Sequence, residues 1–245
     1  MAYPLFVFDF DHSLCHQNDV DRQFLAAFVP LDIQNTLRTK YLSWNSFINA
    51  SYQYAFSQGV TKNQIISNLL ATCAIDDEII ATIRMVMERG AEVIILSNGN
   101  QMMIEQVLSN MQLEVTDVLT NPSYFRDDGC LVLSKYHLEP HGCDRCPDNL
   151  CKSRALIDYG HLGPIMYVGD GIGDGCPIIN FLGRRGDRRD DVGDIALIRS
   201  GFDLDKHLQN NPADYSRIKA NIIYWEGPQD ICEQMQQFVQ NFATS

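Results

Sequence analysis

The sequence predicts an α/β fold, in which helices cover both faces of a parallel sheet and an all-helical segment is inserted after the first strand. The short apolar run Leu5–Phe8, bounded by Pro4 and Asp9, has the length and composition of a buried strand. A long block of helical periodicity follows it without a convincing strand, and beyond that block strand-like and helix-like segments alternate. Alternation of this kind indicates a parallel sheet between two helical layers.

The later part of the chain supplies the other elements of the predicted core. Three segments have the character of buried strands: Glu92–Leu96, Val115–Leu119 and Pro164–Val168. Helical periodicity appears in Gln101–Met111, Lys152–Tyr159 and Gly227–Phe242. The segment Tyr124–Leu133 predicts a hairpin, because its central Asp-Gly pair favours a tight turn. Residues 1–15 and 90–245 are therefore expected to form one three-layer core.

The inserted block is predicted to be a helical cap over residues 16–89. Its helical segments are Trp44–Gln58, Thr61–Ala71 and Asp76–Glu88. Asp76 is a suitable N-cap for the last of them, and Gly90 is a suitable stop after it. The cap thus ends where the second strand of the core begins.

Composition and charge restrict the class of partner. The 245 residues include 31 acidic and 19 basic side chains, which gives a formal net charge of −12, and 45% are hydrophobic. An acidic protein of this kind is not expected to bind nucleic acid or anionic membranes, which require a positive surface. The excess of acidic side chains suits a site that holds a cation. A phosphate-bearing partner would need local positive groups.

The sequence favours a cytoplasmic location. It contains no apolar segment long enough to span a bilayer, and the first residues lack the basic region of a signal peptide. The 8 cysteines are then expected to be reduced thiols. The sequence makes no prediction of oligomeric state.

Two acidic residues follow the first predicted strand. In an extended chain the side chains of Asp9 and Asp11 lie on the same side, at the carboxyl end of that strand. Open α/β sheets place their sites at this edge. Burying two acids together is costly unless a cation or hydrogen bonds compensate. The alternative interpretation is a solvated turn, in which Asp is common.

The second strand is followed by Ser97-Asn98-Gly99. Ser97 is a candidate donor to a phosphate oxygen, and Gly99 permits close approach of the backbone. A helix is expected to start near Asn100, and its free N–H groups would favour an anion. Alternatively, Ser97 or Asn98 is simply the N-cap of that helix.

Two further segments add charged candidates. Lys152 begins a predicted helix and could meet phosphate as a point charge, although a lysine is more commonly an exposed residue. The segment Gly169–Gly175 follows an apolar strand and contains Asp170 and Asp174 among glycines. Carboxylate oxygens near a phosphate are ligands that magnesium takes. The alternative for this segment is a glycine-rich turn into a helix.

These segments occur in the order Asp-x-Asp, Ser, Lys, Gly-Asp-x-x-x-Asp. The ordered set resembles the four motifs of the haloacid dehalogenase (HAD) superfamily of phosphatases, and the helical insertion resembles its C1-type cap. A closer resemblance, to the phosphoethanolamine/phosphocholine phosphatase family with its pyridoxal-phosphate phosphatase branch, rests on Phe8–Ser13, Ser97–Asn100, His141–Lys152 and Tyr167–Pro177.

The resemblance implies a role for each candidate. Asp9 would be the nucleophile that forms an aspartyl-phosphate, and Asp11 would be the general acid and base. Magnesium would be held by Asp9, Asp170 and the backbone carbonyl of Asp11. The expected phosphate-binding residues are Ser97, Asn98 and Lys152. Asp174 would orient Lys152 or a water on the metal.

The implied activity is hydrolysis of a small phosphomonoester. Family members that act on amine phosphates resemble each other in having Asp after the serine of the second motif, where this chain has Asn98. Pyridoxal phosphate is therefore as good a candidate substrate as phosphoethanolamine or phosphocholine. The alternatives are an inorganic pyrophosphatase, a phosphotransferase on the same core, and a catalytically dormant magnesium-binding protein.

A cysteine-rich stretch precedes Lys152. His141, Cys143, Cys146 and Cys151 offer four soft ligands that could hold zinc. They lie within eleven residues, without the distant second pair of a zinc ribbon or finger. The other interpretation is a tight loop with structural thiols.

Overall fold

The core of the protein is a six-stranded parallel sheet in the computed structural model, which describes residues 3–184 and 193–243. The strands of this sheet are β1 Leu5–Phe8, β2 Glu92–Asn100, β3 Asp117–Asn121, β6 Ile165–Gly169, β7 Ile195–Arg199 and β8 Asn221–Trp225. Their order is β3-β2-β1-β6-β7-β8, and all neighbours are parallel. The predicted α/β fold is confirmed.

Strand β1 lies at the centre of the sheet, between β2 and β6. Leu5 pairs with Glu92 on one side and with Ile165 on the other. All four residues of β1 are fully buried, which explains why the strand is a continuous apolar run. The chain runs outward from β1 to β3 and then returns to β6. The order of strands therefore reverses beside β1, where ligand sites form at the carboxyl ends of strands.

Helices cover the two faces of the sheet. Side chains of a strand alternate between faces, so Phe6 and Phe8 pack into one apolar cluster and Leu5 and Val7 into the other. The first cluster includes residues of α5 Asp77–Glu88, α6 Gln101–Asn110 and α11 Pro228–Ala243. The second includes residues of α7 Lys152–Tyr159, α8 Gly175–Asn180 and α9 Asp203–Asn210; a short helix, α10 Pro212–Tyr215, follows.

Four helices follow β1: α1 Val20–Phe28, α2 Leu31–Lys40, α3 Trp44–Ser57 and α4 Lys62–Thr72. Side chains define where several of them begin. Asp19 accepts a hydrogen bond from the backbone N–H of Arg22 at the start of α1, and Thr61 and Gln64 form a capping box on α4. The cap over residues 16–89 stays a prediction. Helix α5, which that range includes, packs against α11 and β2.

Strands β4 Ser123–Phe125 and β5 Leu131–Leu133 pair antiparallel, which confirms the predicted hairpin. Asn49 joins helix α3 to this hairpin. Its side chain donates to the carbonyl oxygen of Leu133 at 2.7 Å and accepts from the Leu133 N–H at 2.8 Å. Within the described ranges, no helix has the length and apolar character needed to cross a membrane.

Candidate active site

The predicted site residues follow three adjacent strands of the sheet. Asp9 comes directly after β1, Asp170 comes directly after β6, and Ser97 lies near the end of β2. Because β1 lies between β2 and β6, these residues meet at one edge. Strand β2 extends four residues beyond its predicted end at Leu96, so Ser97 belongs to the strand itself and is 1% exposed.

Lys152 bridges two carboxylates at this edge. Its Nζ lies 3.0 Å from Asp9 Oδ2 and 2.6 Å from Asp174 Oδ1. The lysine side chain is only 2% exposed. Burial alone would lower the pKa of Lys152, but the carboxylates of Asp174 and Asp9 raise it above its usual value. The ammonium group therefore stays charged, held by two acids in a buried position.

Asp174 uses both carboxylate oxygens in hydrogen bonds. Oδ1 accepts from Lys152 and, at 2.6 Å, from the hydroxyl of Tyr167. Oδ2 accepts from the backbone N–H groups of Asp170 and Gly171 at 3.1 and 2.9 Å. This fully buried carboxylate thus fixes both Lys152 and the backbone turn that carries Asp170.

Gly169 is required by a close approach to Asp174. A Cβ atom at position 169 would lie 2.5 Å from Asp174 Cγ and 2.7 Å from its Oδ2, far inside van der Waals contact. The last residue of β6 therefore has to be glycine if the carboxylate is to reach Lys152.

The carboxylates of Asp9 and Asp170 lie in a group suited to a divalent cation. Each of Asp9, Asp170 and Asp174 places one oxygen within 4.8 Å of the others. Burial, followed by the charge of Asp174, raises the pKa of Asp9 to about 7. Burial, followed by the charge of Asp9, raises the pKa of Asp170 to about 8. Burial and mutual repulsion thus disfavour the ionised forms of these acids, and their hard oxygen ligands fit Mg²⁺, which would offset the repulsion.

The side chain of Asp11 is directed to the start of helix α1. Its Oδ1 accepts a hydrogen bond from the backbone N–H of Val20, the first residue of α1, at 2.8 Å. Burial, followed by the charge of Asp19, raises the pKa of Asp11 well above its usual value. Burial therefore favours the protonated form of the Asp11 carboxyl.

Ser97 and Asn98 differ in what they offer to a ligand. Ser97 Oγ accepts a hydrogen bond from the backbone N–H of Gly99 at 3.0 Å, and its hydroxyl proton is free to be donated to another group. The side-chain amide of Asn98 donates instead to Asn149 Oδ1 and to the carbonyl oxygen of Leu150, both at 3.1 Å. The side-chain amide of Asn98 thus holds the loop before Lys152. The group of Asn98 that is left to donate to a phosphate is its backbone N–H.

A cavity of about 290 Å³ opens over these residues. Its floor is formed by the sheet edge and its wall by residues at the starts of α1 and α3, namely Asp19, Asp21, Arg22 and Trp44. Asp21 is 3% exposed and accepts hydrogen bonds from Trp44 Nε1 at 2.9 Å and from the hydroxyl of Tyr52 at 3.1 Å. The cavity thus combines a polar floor with a partly aromatic wall.

Sequence reasoning did not identify Tyr167 or Asp21 as parts of the site. Tyr167 is the one residue of Ile165–Gly169 with a polar group, and a hydroxyl inside an apolar strand indicates a buried partner. Asp21 stands in an amphipathic helix at a position that is buried with Val20, Phe24 and Leu25. A carboxylate on the apolar side of a helix is the corresponding signal.

The buried carboxyl of Asp21 makes a pH-dependent contribution to stability. Burial, followed by the charge of Asp19, raises the pKa of Asp21 to about 7. Between about pH 4 and pH 7 the folded protein therefore retains a proton that the unfolded chain releases, and the free energy of unfolding falls as pH rises. The free energy of unfolding of Asp21→Asn, relative to that of wild type, is expected to be about 2–4 kcal/mol higher at pH 8 than at pH 4.5. Denaturant unfolding of both proteins measures this difference. Equal differences at both pH values would contradict the assignment.

The cysteine-rich stretch does not bring together the four residues named from the sequence. Cys143, Cys146 and Cys151 are close in space, and Cys176 of α8 joins them. His141 is engaged elsewhere: its Nε2 lies 2.9 Å from the carbonyl oxygen of Pro147, and its Nδ1 accepts from the Cys143 N–H. The zinc set with His141, which the sequence left open beside a loop of structural thiols, is not brought together, because both ring nitrogens of His141 contact the loop backbone.

The chain is similar to known phosphatases over nearly its whole length. A family model described as Putative Phosphatase matches residues 4–239. The human pyridoxal phosphate phosphatase PHOSPHO2 is 28% identical over 249 residues, which cover 95% of this chain and 97% of that protein. The human phosphoethanolamine/phosphocholine phosphatase is 28% identical over 253 residues, which cover 97% of this chain and 90% of that protein.

The fold is shared with solved structures of HAD hydrolases. A HAD family hydrolase from Salmonella enterica subsp. enterica serovar Typhi matches with a TM-score of 0.59 and 13% sequence identity, over 94% of this chain and 70% of that chain. This match confirms the predicted fold. Because the family model covers almost every described element, the chain belongs to the Putative Phosphatase family and is a phosphatase on the HAD fold.

Proposed function

We propose that the protein hydrolyses small phosphomonoesters in a magnesium-dependent reaction that passes through an aspartyl-phosphate on Asp9. The observation that carries this proposal is the contact of Lys152 Nζ with Asp9 Oδ2, 3.0 Å long, within a group of three carboxylates. A carboxylate beside a fixed ammonium is placed to meet a phosphoryl group, whose charge the ammonium offsets.

The first step is attack by a carboxylate oxygen of Asp9 on phosphorus, opposite the leaving oxygen. Asp11, whose protonated form is favoured by burial, gives its proton to the leaving oxygen. The same residue, now ionised, accepts a proton from the water that hydrolyses the aspartyl-phosphate. Ser97 and Lys152 hold the phosphoryl oxygens during both steps, and Asp174 keeps Lys152 in position.

Asp9, Asp170 and the backbone carbonyl of Asp11 are the proposed ligands of Mg²⁺. The ion supplies positive charge between the Asp9 carboxylate and the phosphate dianion, which would otherwise repel each other. Ser13 supports this role for Asp170, since its hydroxyl donates to Asp170 Oδ1 at 3.1 Å and orients the other oxygen.

The size of the cavity favours a small organic ester. About 290 Å³ lies at the lower limit of small-molecule sites. Pyridoxal phosphate and phosphoethanolamine or phosphocholine are the proposed candidates, in line with the names of the two human relatives. Trp44 on the cavity wall offers an aromatic face that suits either a pyridine ring or a cationic head group.

The purified protein, assayed with para-nitrophenyl phosphate and then with these esters and pyrophosphate, tests the proposal. We expect turnover of organic esters with Mg²⁺, loss of activity by at least about 100-fold in EDTA, and recovery when Mg²⁺ is restored. Activity indifferent to EDTA would contradict the metal assignment. Turnover of pyrophosphate alone would favour the pyrophosphatase alternative. A reaction that requires an acceptor would favour the phosphotransferase, and absence of activity with every substrate would favour the dormant protein.

We also propose a cytoplasmic location and no nucleic-acid partner. All eight cysteines are free thiols, which is typical of a reducing compartment. The net charge of −12 opposes association with a polyanion. Fractionation of cells that express a tagged full-length chain checks the location.

A further inference from the structure

Four cysteine sulfurs form a cluster behind the phosphate site. This cysteine cluster consists of Cys143, Cys146, Cys151 and Cys176. All four Sγ atoms lie within 4.8 Å of one another, and Cys176 Sγ is 3.5 Å from Cys143 Sγ and 3.8 Å from Cys151 Sγ. Four thiolates around a tetrahedral zinc ion at about 2.3 Å would be about 3.8 Å apart. The sulfurs are therefore already near the spacing of a metal site.

The arrangement distinguishes zinc from other uses of cysteine. A disulfide would select one pair and leave two thiols, whereas here a single sulfur, that of Cys176, contacts several others. An iron–sulfur cluster would hold the cysteine sulfurs farther apart, because inorganic atoms lie between them. Three of the four residues are buried, and no position is left for water or substrate, as in structural rather than catalytic zinc sites.

The start of helix α7 lies beside the cluster. Cys151 directly precedes Lys152, the first residue of the helix. The hydroxyl of Ser153 adds a contact of 2.9 Å to Cys176 Sγ. Four thiolates around one zinc ion carry a net charge of about −2, and N–H groups at a helix start are suited to offset it.

We propose that the cysteine cluster binds one structural zinc ion. Each thiol would release its proton to solvent as zinc binds. Cys151 directly precedes Lys152, and Cys176 is the second residue after Asp174. The ion would thus join the two segments whose ion pair forms the positive side of the phosphate site. Zinc in this site is separate from the magnesium proposed at Asp9 and Asp170.

Metal analysis of the full-length protein tests the proposal directly. Cells are grown with zinc, the protein is passed through gel filtration, and metals are counted by plasma mass spectrometry. We expect about one zinc per chain. Cobalt taken up in its place is expected to show the strong visible and near-ultraviolet bands of tetrahedral cobalt bound to thiolates. Iron in place of zinc, or zinc far below one per chain together with no cobalt–thiolate bands, would overturn the proposal.

Matched variants locate the ion. Cys143→Ser, at the most exposed ligand, is expected to lose at least about half of the zinc, because a structural site needs all four ligands. Cys232→Ser, in a separate buried position of α11, and His141→Ala are expected to keep it. Asp170→Asn is expected to keep the zinc as well. A full zinc content in Cys143→Ser would overturn the assignment, and so would loss of zinc from Asp170→Asn or His141→Ala. If Cys143→Ser does not fold, the cobalt spectrum of the wild-type protein decides the case.

Discussion

Asp9→Asn is expected to lower kcat by about 10⁴-fold or more while the protein stays folded. Asparagine has the size of aspartate, and its side-chain oxygen can still accept the hydrogen bond from the Phe10 N–H, which is 2.7 Å long in the native protein. The amide is not a nucleophile toward phosphorus. Steady-state kinetics with a saturating ester, together with circular dichroism of the purified variant, measures both expectations.

Asp19→Asn is the matched control for this variant. Asp19 lines the same cavity, and asparagine is as good an N-cap as aspartate for helix α1. We expect this variant to keep activity within about tenfold of wild type, since it removes a charge but no reacting atom. Comparable activity in Asp9→Asn and wild type would remove Asp9 from the role of nucleophile.

Lys152→Met is expected to lower the free energy of unfolding by about 3–5 kcal/mol at pH 8. Methionine fills a similar volume but leaves Asp9 and Asp174 without the ammonium that they share. Breaking one side of a buried ion pair strands the remaining charge in a poorly solvated position. The loss should shrink toward pH 5, because Asp9 can then bind a proton.

The surface of the same protein provides the control for Lys152. Lys135 Nζ lies 2.6 Å from Asp148 Oδ2, the same distance as in the pair of Lys152 with Asp174, but these side chains are 42% and 52% exposed. Lys135→Met is expected to cost no more than about 1 kcal/mol. Denaturant unfolding of both variants at two pH values measures these losses in the free energy of unfolding. Equal losses in the two variants would show that burial does not set the strength of the Lys152 pair.

The sequence predicts strands β3, β2, β1 and β6 on one side of the sheet better than β7 and β8 on the other. Strand β1 is a continuous apolar run because it is buried on both faces, and helix α7 has the predicted bounds, Lys152–Tyr159. Strands β7 and β8 were not predicted. β8 lies at the edge of the sheet with Tyr224 43% exposed, so its apolar pattern is weaker.

The same contrast holds within the site. Positions after strands could be found from local pattern, as with Asp9 and Asp170, because parallel strands end at one edge. The contact of Tyr167 with Asp174 and the approach of Cys176 to Cys143 depend on how helices and turns pack, with the two cysteines 33 residues apart. Local periodicity carries no information about such distances. The side chain of Asn98 is a similar case, since its partners in the loop at 149–150 are 51 and 52 residues away.

The close approach at Gly169 has a consequence for how the site keeps its shape. The carboxylate of Asp174 occupies the volume that a side chain would fill at position 169, so the end of β6 and the turn after it are in direct contact. Sliding one past the other would push a carboxylate into main-chain atoms. The position of Asp174 relative to the end of β6 is therefore set by steric exclusion as well as by hydrogen bonds, and it would persist when salt or pH weakens electrostatic attraction.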